Sequence, residues 1–343
     1  MVSGMNDITA KFRAALYHCD TATARSELLD IAHPDAPLRL SFPFETLNGA
    51  TAFFDTALTP LTSAIPDLER RDTIVTSGTC NQGHTWIGCC GYYTGTFLHP
   101  FLDIPPTGLQ AHMRFHEFYR IQDGKITEMQ ALWDIPELMM QAGAWPMAPS
   151  LGREWRAPSP ATQDGLNRAK STPDQNATNC QIILDMLEHM IKHPSTGGPE
   201  VMELTRFWHN NFSWYGPAGI GTGRGVSGFR DIHQIPFLAA MPDRGQHEDE
   251  ITHHFFADGP YVAVTGWPNM AQTHLNDGWM GIAPTGKKIT LRSLDFWRIE
   301  NGLIRENWVL VDILSVFNQL GVDVLARMRE FNKLKPPYTG RTP

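Results

Sequence analysis

Pro106-Thr107-Gly108 is followed by LQAHMRFHEFYRIQDGKITEMQALWD, ending at Asp134; Pro284-Thr285-Gly286 is followed by KKITLRSLDFWRIENGLIRENWVLVD, ending at Asp312. The two stretches lie 178 residues apart and match without a gap. Arg114 pairs with Arg292, Phe118 with Phe296, Arg120 with Arg298, Glu128 with Glu306 and Asp134 with Asp312. Such a long-period repeat means that one supersecondary unit is built twice. Within the unit, Asp123-Gly124 and Asn301-Gly302 sit between strand-like runs and predict tight hairpin turns. The apolar stretches IPELMMQAG and ILSVFNQLG predict a short closing helix that ends on glycine.

Upstream the register changes to 176: Gly49–Phe53 faces Gly225–Phe229, and Ile65-Pro66-Asp67 faces Met241-Pro242-Asp243. CQIILDMLEHMIKH carries apolar residues at helical spacing, and a second helix leads into the Pro-Asp turn. Three or four strands follow. Helices followed by a curved antiparallel sheet define an α+β half-barrel. The segment between the copies is rich in Pro, Ser, Ala and Gly, a linker composition. The expected layout is domain 1 at 1–145, linker at 146–176, domain 2 at 177–335 and a tail at 336–343.

A chain of 343 residues comfortably makes two domains, and 42% apolar with 19% charged residues is a globular composition. The net charge of −8 and the lack of Lys/Arg runs argue against a nucleic-acid or membrane surface. Cys19, Cys80, Cys89, Cys90 and Cys180 form no CxxC pair, which reads as reduced thiols in a cytoplasm and no zinc knuckle. The N-terminus has no apolar targeting segment, and Met5 is an alternative start. GRGVSG (223–228) meets the GxGxxG pattern but lacks the preceding strand that a dinucleotide site needs. His189 and His193 have metal-ligand spacing on a helix without the glutamate that would accompany it, so no metal site is expected there.

These residues carry a resemblance. Domain 2 resembles the SnoaL-like polyketide cyclases of the NTF2-like superfamily in SWYGPAGIGTGRGVSGF (213–229), THLNDGWMGIAPTGK (273–287) and DFWRIENGLIRENWVLVDILSVFNQLG (295–321). Domain 1 resembles them in IPPTG (104–108), EFYRIQDGKITEM (117–129) and its closing segment. The resemblance implies two NTF2-like cones in tandem, each around an apolar pocket, and a cofactor-free intramolecular aldol closure. It assigns acid/base roles to Asp312 and Asp134 and a catalytic position to His274. Tyr93 and Gln130 in domain 1 depart from His274 and Trp308 in domain 2. Such domains pair through their outer sheet faces, so a fused tandem resembles a covalent dimer that a homo-oligomer could extend.

Strand parity gives a second line of reasoning. Ile304, Glu306, Trp308, Leu310 and Asp312 share one face; if it lines the cone, burial would push the aspartate up toward neutrality. The competing reading is a helix N-cap, since each aspartate precedes the closing helix. Glu117 and Asp295 share parity with Tyr119 and Trp297, which makes them candidates for a second carboxylate in the pocket or for a salt bridge. Trp214, Trp308, Trp279, Tyr93 and Phe296 are candidate walls for a flat aromatic ligand. His112 and His116 lie on the opposite face, too far apart to grip one metal. The expectation is an acid/base enzyme acting on a hydrophobic, aromatic or polyketide-like carbonyl or hydroxy compound by aldol cyclisation or its reverse. The alternative is a non-catalytic binding or assembly module.

Overall fold

A computed structural model describes residues 7–167 and 169–333; Met5 and the expected tail lie outside them. Each copy builds a six-stranded sheet that curves over helices without closing into a barrel. Sheet one contains β1 (Pro37–Leu40), β2 (Glu45–Asn48), β3 (Glu69–Thr79), β4 (Thr85–Thr96), β5 (Gln110–Gln122) and β6 (Lys125–Trp133), in the order β2-β1-β6-β5-β4-β3. Sheet two contains β7 (Trp208–Tyr215), β8 (Thr222–Arg224), β9 (His254–Asp258), β10 (Tyr261–Thr265), β13 (Ser293–Glu300) and β14 (Leu303–Val311), in the order β8-β7-β14-β13-β10-β9. β11 (Met270–Thr273) and β12 (Lys288–Leu291) form a separate pair.

Both sheets are mixed, because β1 runs parallel to β6 and β7 parallel to β14. The two strands that open each sheet are absent from the sequence reading; four residues or fewer in β1, β2 and β8 give alternation too little length to register, whereas β7 runs for eight. The hairpin turns form as expected. Asp123 and Gly124 have φ of 50° and 73°, and Asn301 and Gly302 have 52° and 77°, the pair of positive values a type I′ turn needs.

Domain 2 departs from its twin in one respect that matters for the site. β4 and β5 run unbroken for 12 and 13 residues. Their counterparts are interrupted at Gly266-Trp267-Pro268 and at Arg292, so β11 and β12 peel away from the main sheet. Pro268 has no N–H to donate to a ladder. Thr252 approaches so closely that a Cβ at Gly266 would lie 1.9 Å from its carbonyl oxygen.

The sheets pack face to face through their outer surfaces. Phe118 stacks on Phe296 at 5.1 Å, and Trp86, Leu132, Phe256, Trp308 and Leu310 belong to the same buried cluster. Phe118 and Phe296 are repeat partners, so they lie on a local two-fold axis between the halves. The linker-like segment contributes to this junction: Trp308 Nε1 donates to the Pro158 carbonyl (2.9 Å) and Tyr92 Oη to the Ala157 carbonyl (3.0 Å). No helix among the described residues is long and apolar enough to cross a membrane.

Candidate active site

The two closing aspartates sit at the junction between domains. Asp134 caps its helix by accepting from Glu137 N (3.3 Å) and also accepts from Ala218 N of the other domain (3.0 Å). Asp312 repeats this arrangement with Ser315 N (3.2 Å) and Phe42 N (3.0 Å). Phe42 and Ala218 are themselves partners at the 176-residue offset, so the latch is two-fold symmetric. Arg292 also donates to Asp312 (3.1 Å), while Arg114 donates to the carbonyls of Tyr215, Gly216 and Val309 across the junction. Removing either aspartate takes away a cap and a cross-domain bond, each worth about 1 kcal/mol. Asp134→Ala and Asp312→Ala are therefore expected to lose about 2 kcal/mol each in denaturant unfolding. Unchanged stability would sink the latch assignment.

The interior of domain 1 is filled by its own side chains. Glu117, 1% exposed, accepts from four donors: Arg70 Nη1 (2.5 Å), Tyr119 Oη (2.6 Å), Tyr93 Oη (2.9 Å) and Trp133 Nε1 (3.0 Å). The Arg70 guanidinium lies over the Phe115 ring, 4.2 Å from its centre. This carboxylate has its charge paired and its lone pairs occupied.

Domain 2 puts Asp295 at the position of Glu117 and changes everything around it. At the positions of Tyr93, Tyr119 and Trp133 stand Met270, Trp297 and Val311, by matching ladder register and the 178-residue offset. Asp295 keeps one donor, Ser293 Oγ (2.8 Å). It lines a chamber of about 70 Å³ with Trp214, Trp279, Trp297, His233 and Arg244. Arg244, Leu187 and Met270 also border an outer chamber of about 280 Å³. Together these reach the lower end of the roughly 300–1,000 Å³ of small-molecule sites. A larger surface groove, about 710 Å³, runs beside Arg13, Arg70 and Asp72, but those charges are committed to one another in ion pairs. The chamber with the under-bonded carboxylate is the stronger candidate.

Burial pushes Asp295 up to about 7, against the opposing pull of the Ser293 hydrogen bond and of Arg244. Burial, with Arg244 adding to it, pushes His233 down to about 3, so its ring is neutral over the working pH range. His233 stacks on Trp214 at 4.4 Å and 12° and is presented by a π-helical turn, Arg230–Gln234, which domain 1 repeats at Phe54–Leu58. Burial also lowers Arg244 to about 10, which leaves it cationic at neutral pH. Among the described residues Arg244 makes no hydrogen bond or ion pair, and His233 Nδ1 and Trp297 Nε1 are buried without a partner.

Asp134 is likewise raised to about 7 and Asp312 to about 6, burial being the largest cause in both. All three carboxyls bind protons more tightly folded than at the ordinary 3.8. Through these three carboxyls the folded chain gains protons relative to the unfolded chain between about pH 4 and 7, and their share of the stability falls as pH rises through that window. Buried histidines such as His233, pushed down to about 3, act in the opposite sense below about pH 6.5. Relative to wild type, Asp295→Asn is expected to gain melting temperature as pH rises from about 5 to 8, because the variant lacks the carboxyl that burial raises to about 7. A gap between variant and wild type that does not change with pH would assign Asp295 an ordinary carboxylate pKa.

Several expected positions are corrected. Trp308 and Phe296 face the domain junction, because residues opposite each other in the ladder share a face: Phe296 pairs with Trp308, and Asp295 with Val309. The interior row of β14 is thus Asn307, Val309 and Val311, the reverse of the expected parity. Asp312 follows the end of β14 and leaves the strand alternation as an N-cap. Tyr93 and Glu117 lie in a packed interior. His274 is fully buried in the connection between β11 and β12, its Nδ1 3.2 Å from Thr285 Oγ1, and lies outside the chamber wall. Its counterpart is Phe97, since Phe97 pairs with Leu109 and Gly108 as His274 does with Lys287 and Gly286. Trp214, Trp279 and Asp295 are brought together as expected; Arg244 and His233 are additions. The repeat held their signal, since their partners at the 176-residue offset are the apolar Leu68 and Ala57.

An α+β fold of two open six-stranded sheets, with one under-bonded carboxylate in an aromatic chamber, defines a tandem NTF2-like protein. The profile of the SnoaL-like polyketide cyclases matches residues 14–142 and 196–320, more than half of the chain, and the protein belongs to that family. None of the curated proteins matches it. Among solved structures it is similar to AclR from Streptomyces galilaeus (17% identity, 40% of this chain and 92% of that one, TM-score 0.33). It is also similar to IdmH from Streptomyces antibioticus (19%, 40% and 96%, TM-score 0.33). A SnoaL-like polyketide cyclase from Agrobacterium tumefaciens is similar at 22% identity (41% and 98%, TM-score 0.32).

Proposed function

We propose that the chain is an acid/base enzyme acting on a hydrophobic, aromatic or polyketide-like carbonyl compound, with its chemistry in domain 2 and domain 1 as scaffold. The observation that carries this is the contrast between Glu117, held by four donors, and Asp295, held by one and facing a chamber. A carboxyl near pH 7 serves as base when ionised and as acid when protonated. Asp295 takes a proton from the carbon next to a carbonyl, and the Arg244 guanidinium supports the charge gathering on the enolate oxygen. The enolate carbon attacks a second carbonyl of the same molecule, forming the carbon–carbon bond. The resulting alkoxide then takes the proton back from Asp295. Reversal of the same steps is a retro-aldol cleavage. Neutral His233 and the tryptophans hold a flat ligand. Asp134, Asp312 and His274, to which the family resemblance gives catalytic roles, serve in this reading as two domain latches and a loop residue.

The test follows α-proton exchange of aryl ketones and β-keto esters in D₂O by NMR. Wild type is expected to exchange faster than buffer and Asp295→Asn not to. Exchange lost in Asp312→Asn but kept in Asp295→Asn would overturn the assignment.

A further inference from the structure

Away from the chamber, three soft or borderline metal ligands converge where the halves meet. Cys80 and His84 come from the turn joining β3 to β4, and His254 from the first position of β9, 170 residues on. One ligand atom from each lies within 4.8 Å of the other two. Cys80 Sγ and His254 Nδ1 are 3.8 Å apart, close to the about 3.6 Å that tetrahedral zinc with Zn–S of about 2.3 Å and Zn–N of about 2.0–2.1 Å imposes. The turn is pre-set for this. Cys80 N donates to the His84 carbonyl (2.8 Å) and Gly83 N to the Cys80 carbonyl (2.9 Å), fixing both ligands on one hairpin tip. That tip is tied to domain 2 by Gln82 Nε2 on the His253 carbonyl (3.0 Å) and by Ser77 N on Asp258 (3.1 Å).

Protein contacts alone leave this cluster unfinished. His84 Nδ1 is buried without a hydrogen-bond partner among the described residues, a costly arrangement for a polar atom. Cys80 Sγ has two long contacts among the described residues, to His254 Nδ1 (3.8 Å) and to Gln82 Oε1 (4.0 Å). Arg120, which acts on His254 from nearby, is paired with Glu128 (3.8 Å).

The geometry points to a zinc site of one thiolate and two imidazoles, with water in the fourth position, that clamps the β3–β4 turn of domain 1 to β9 of domain 2. Binding exchanges the Cys80 thiol proton for the metal and releases it to solvent. The ligands are far apart in the unfolded chain, so zinc binds the folded form preferentially and raises its melting temperature.

The test uses full-length protein stripped by a chelator and titrated with Zn²⁺ or Co²⁺. One Zn²⁺ per chain is expected, with melting raised by several degrees. Cobalt should give a thiolate-to-metal charge-transfer band and quench Trp86, whose ring centre lies 5.0 Å from that of His254. Cys80→Ser and His254→Gln should each lose at least about a hundredfold in affinity. Equal binding by wild type and Cys80→Ser would overturn the proposal in favour of surface histidines. Folded wild type that shows no sulfur band with cobalt overturns it without any variant.

Discussion

Asp295→Asn is expected to lower α-proton exchange about a hundred- to ten-thousandfold, the usual contribution of a placed general base. Little stability should go with it. Among the described residues Asp295 pairs with no cation within ion-pair distance and accepts one hydrogen bond, from Ser293, which an asparagine oxygen accepts equally. In wild type the exchange rate should rise through about pH 7, where the carboxyl ionises, and this limb should vanish in the variant. Arg244→Met should slow exchange while leaving melting nearly unchanged, since Arg244 makes no hydrogen bond or ion pair among the described residues. A folded variant that keeps wild-type exchange would remove Asp295 from the chemistry.

Glu117→Ala should do the opposite: a loss of about 3–5 kcal/mol in stability with exchange retained by whatever fraction stays folded. The substitution strands a guanidinium that is 0% exposed and strips three neutral donors of their acceptor. Asp72, 3.0 Å from Arg70, compensates only part of that charge. Pairing Arg70→Met with Glu117→Gln should recover much of the loss, because no buried charge is then left alone. Such a loss is a large share of the roughly 5–15 kcal/mol that holds a protein folded. Denaturant unfolding measures it, and a loss below about 1 kcal/mol would mean that the network is ornamental to domain 1.

The repeat, the tight turns and the closing helices were legible because each rests on local chemistry. Asn301-Gly302 needs two positive φ values, and Asp312 before ILSVFNQLG is an N-cap in any fold. The facing of β14 was not. Trp308 and Leu310 look like pocket wall, yet they are apolar because the other domain covers them; with both faces buried, alternation carries no direction. Asp295 was legible as an acid in an apolar row. Its isolation was not, since that depends on Met270 and Val311 standing where the other copy has Tyr93 and Trp133. Arg244 and His233 were readable only by asking where one copy is polar and its twin is not. Cys80, His84 and His254 show no ligand spacing because the third lies on the other half.

The face-to-face packing also sets a timetable for synthesis. Phe118, Leu132 and Trp86 emerge from the ribosome long before their covers Phe296, Leu310 and Phe256 are made. With Phe118 and Phe296 178 residues apart and translation at about 5–20 residues per second, the first half waits roughly ten to forty seconds with an aromatic sheet face bare. During that interval it is open to the same face on a neighbouring nascent chain, a pairing that the tether to its own second half ends.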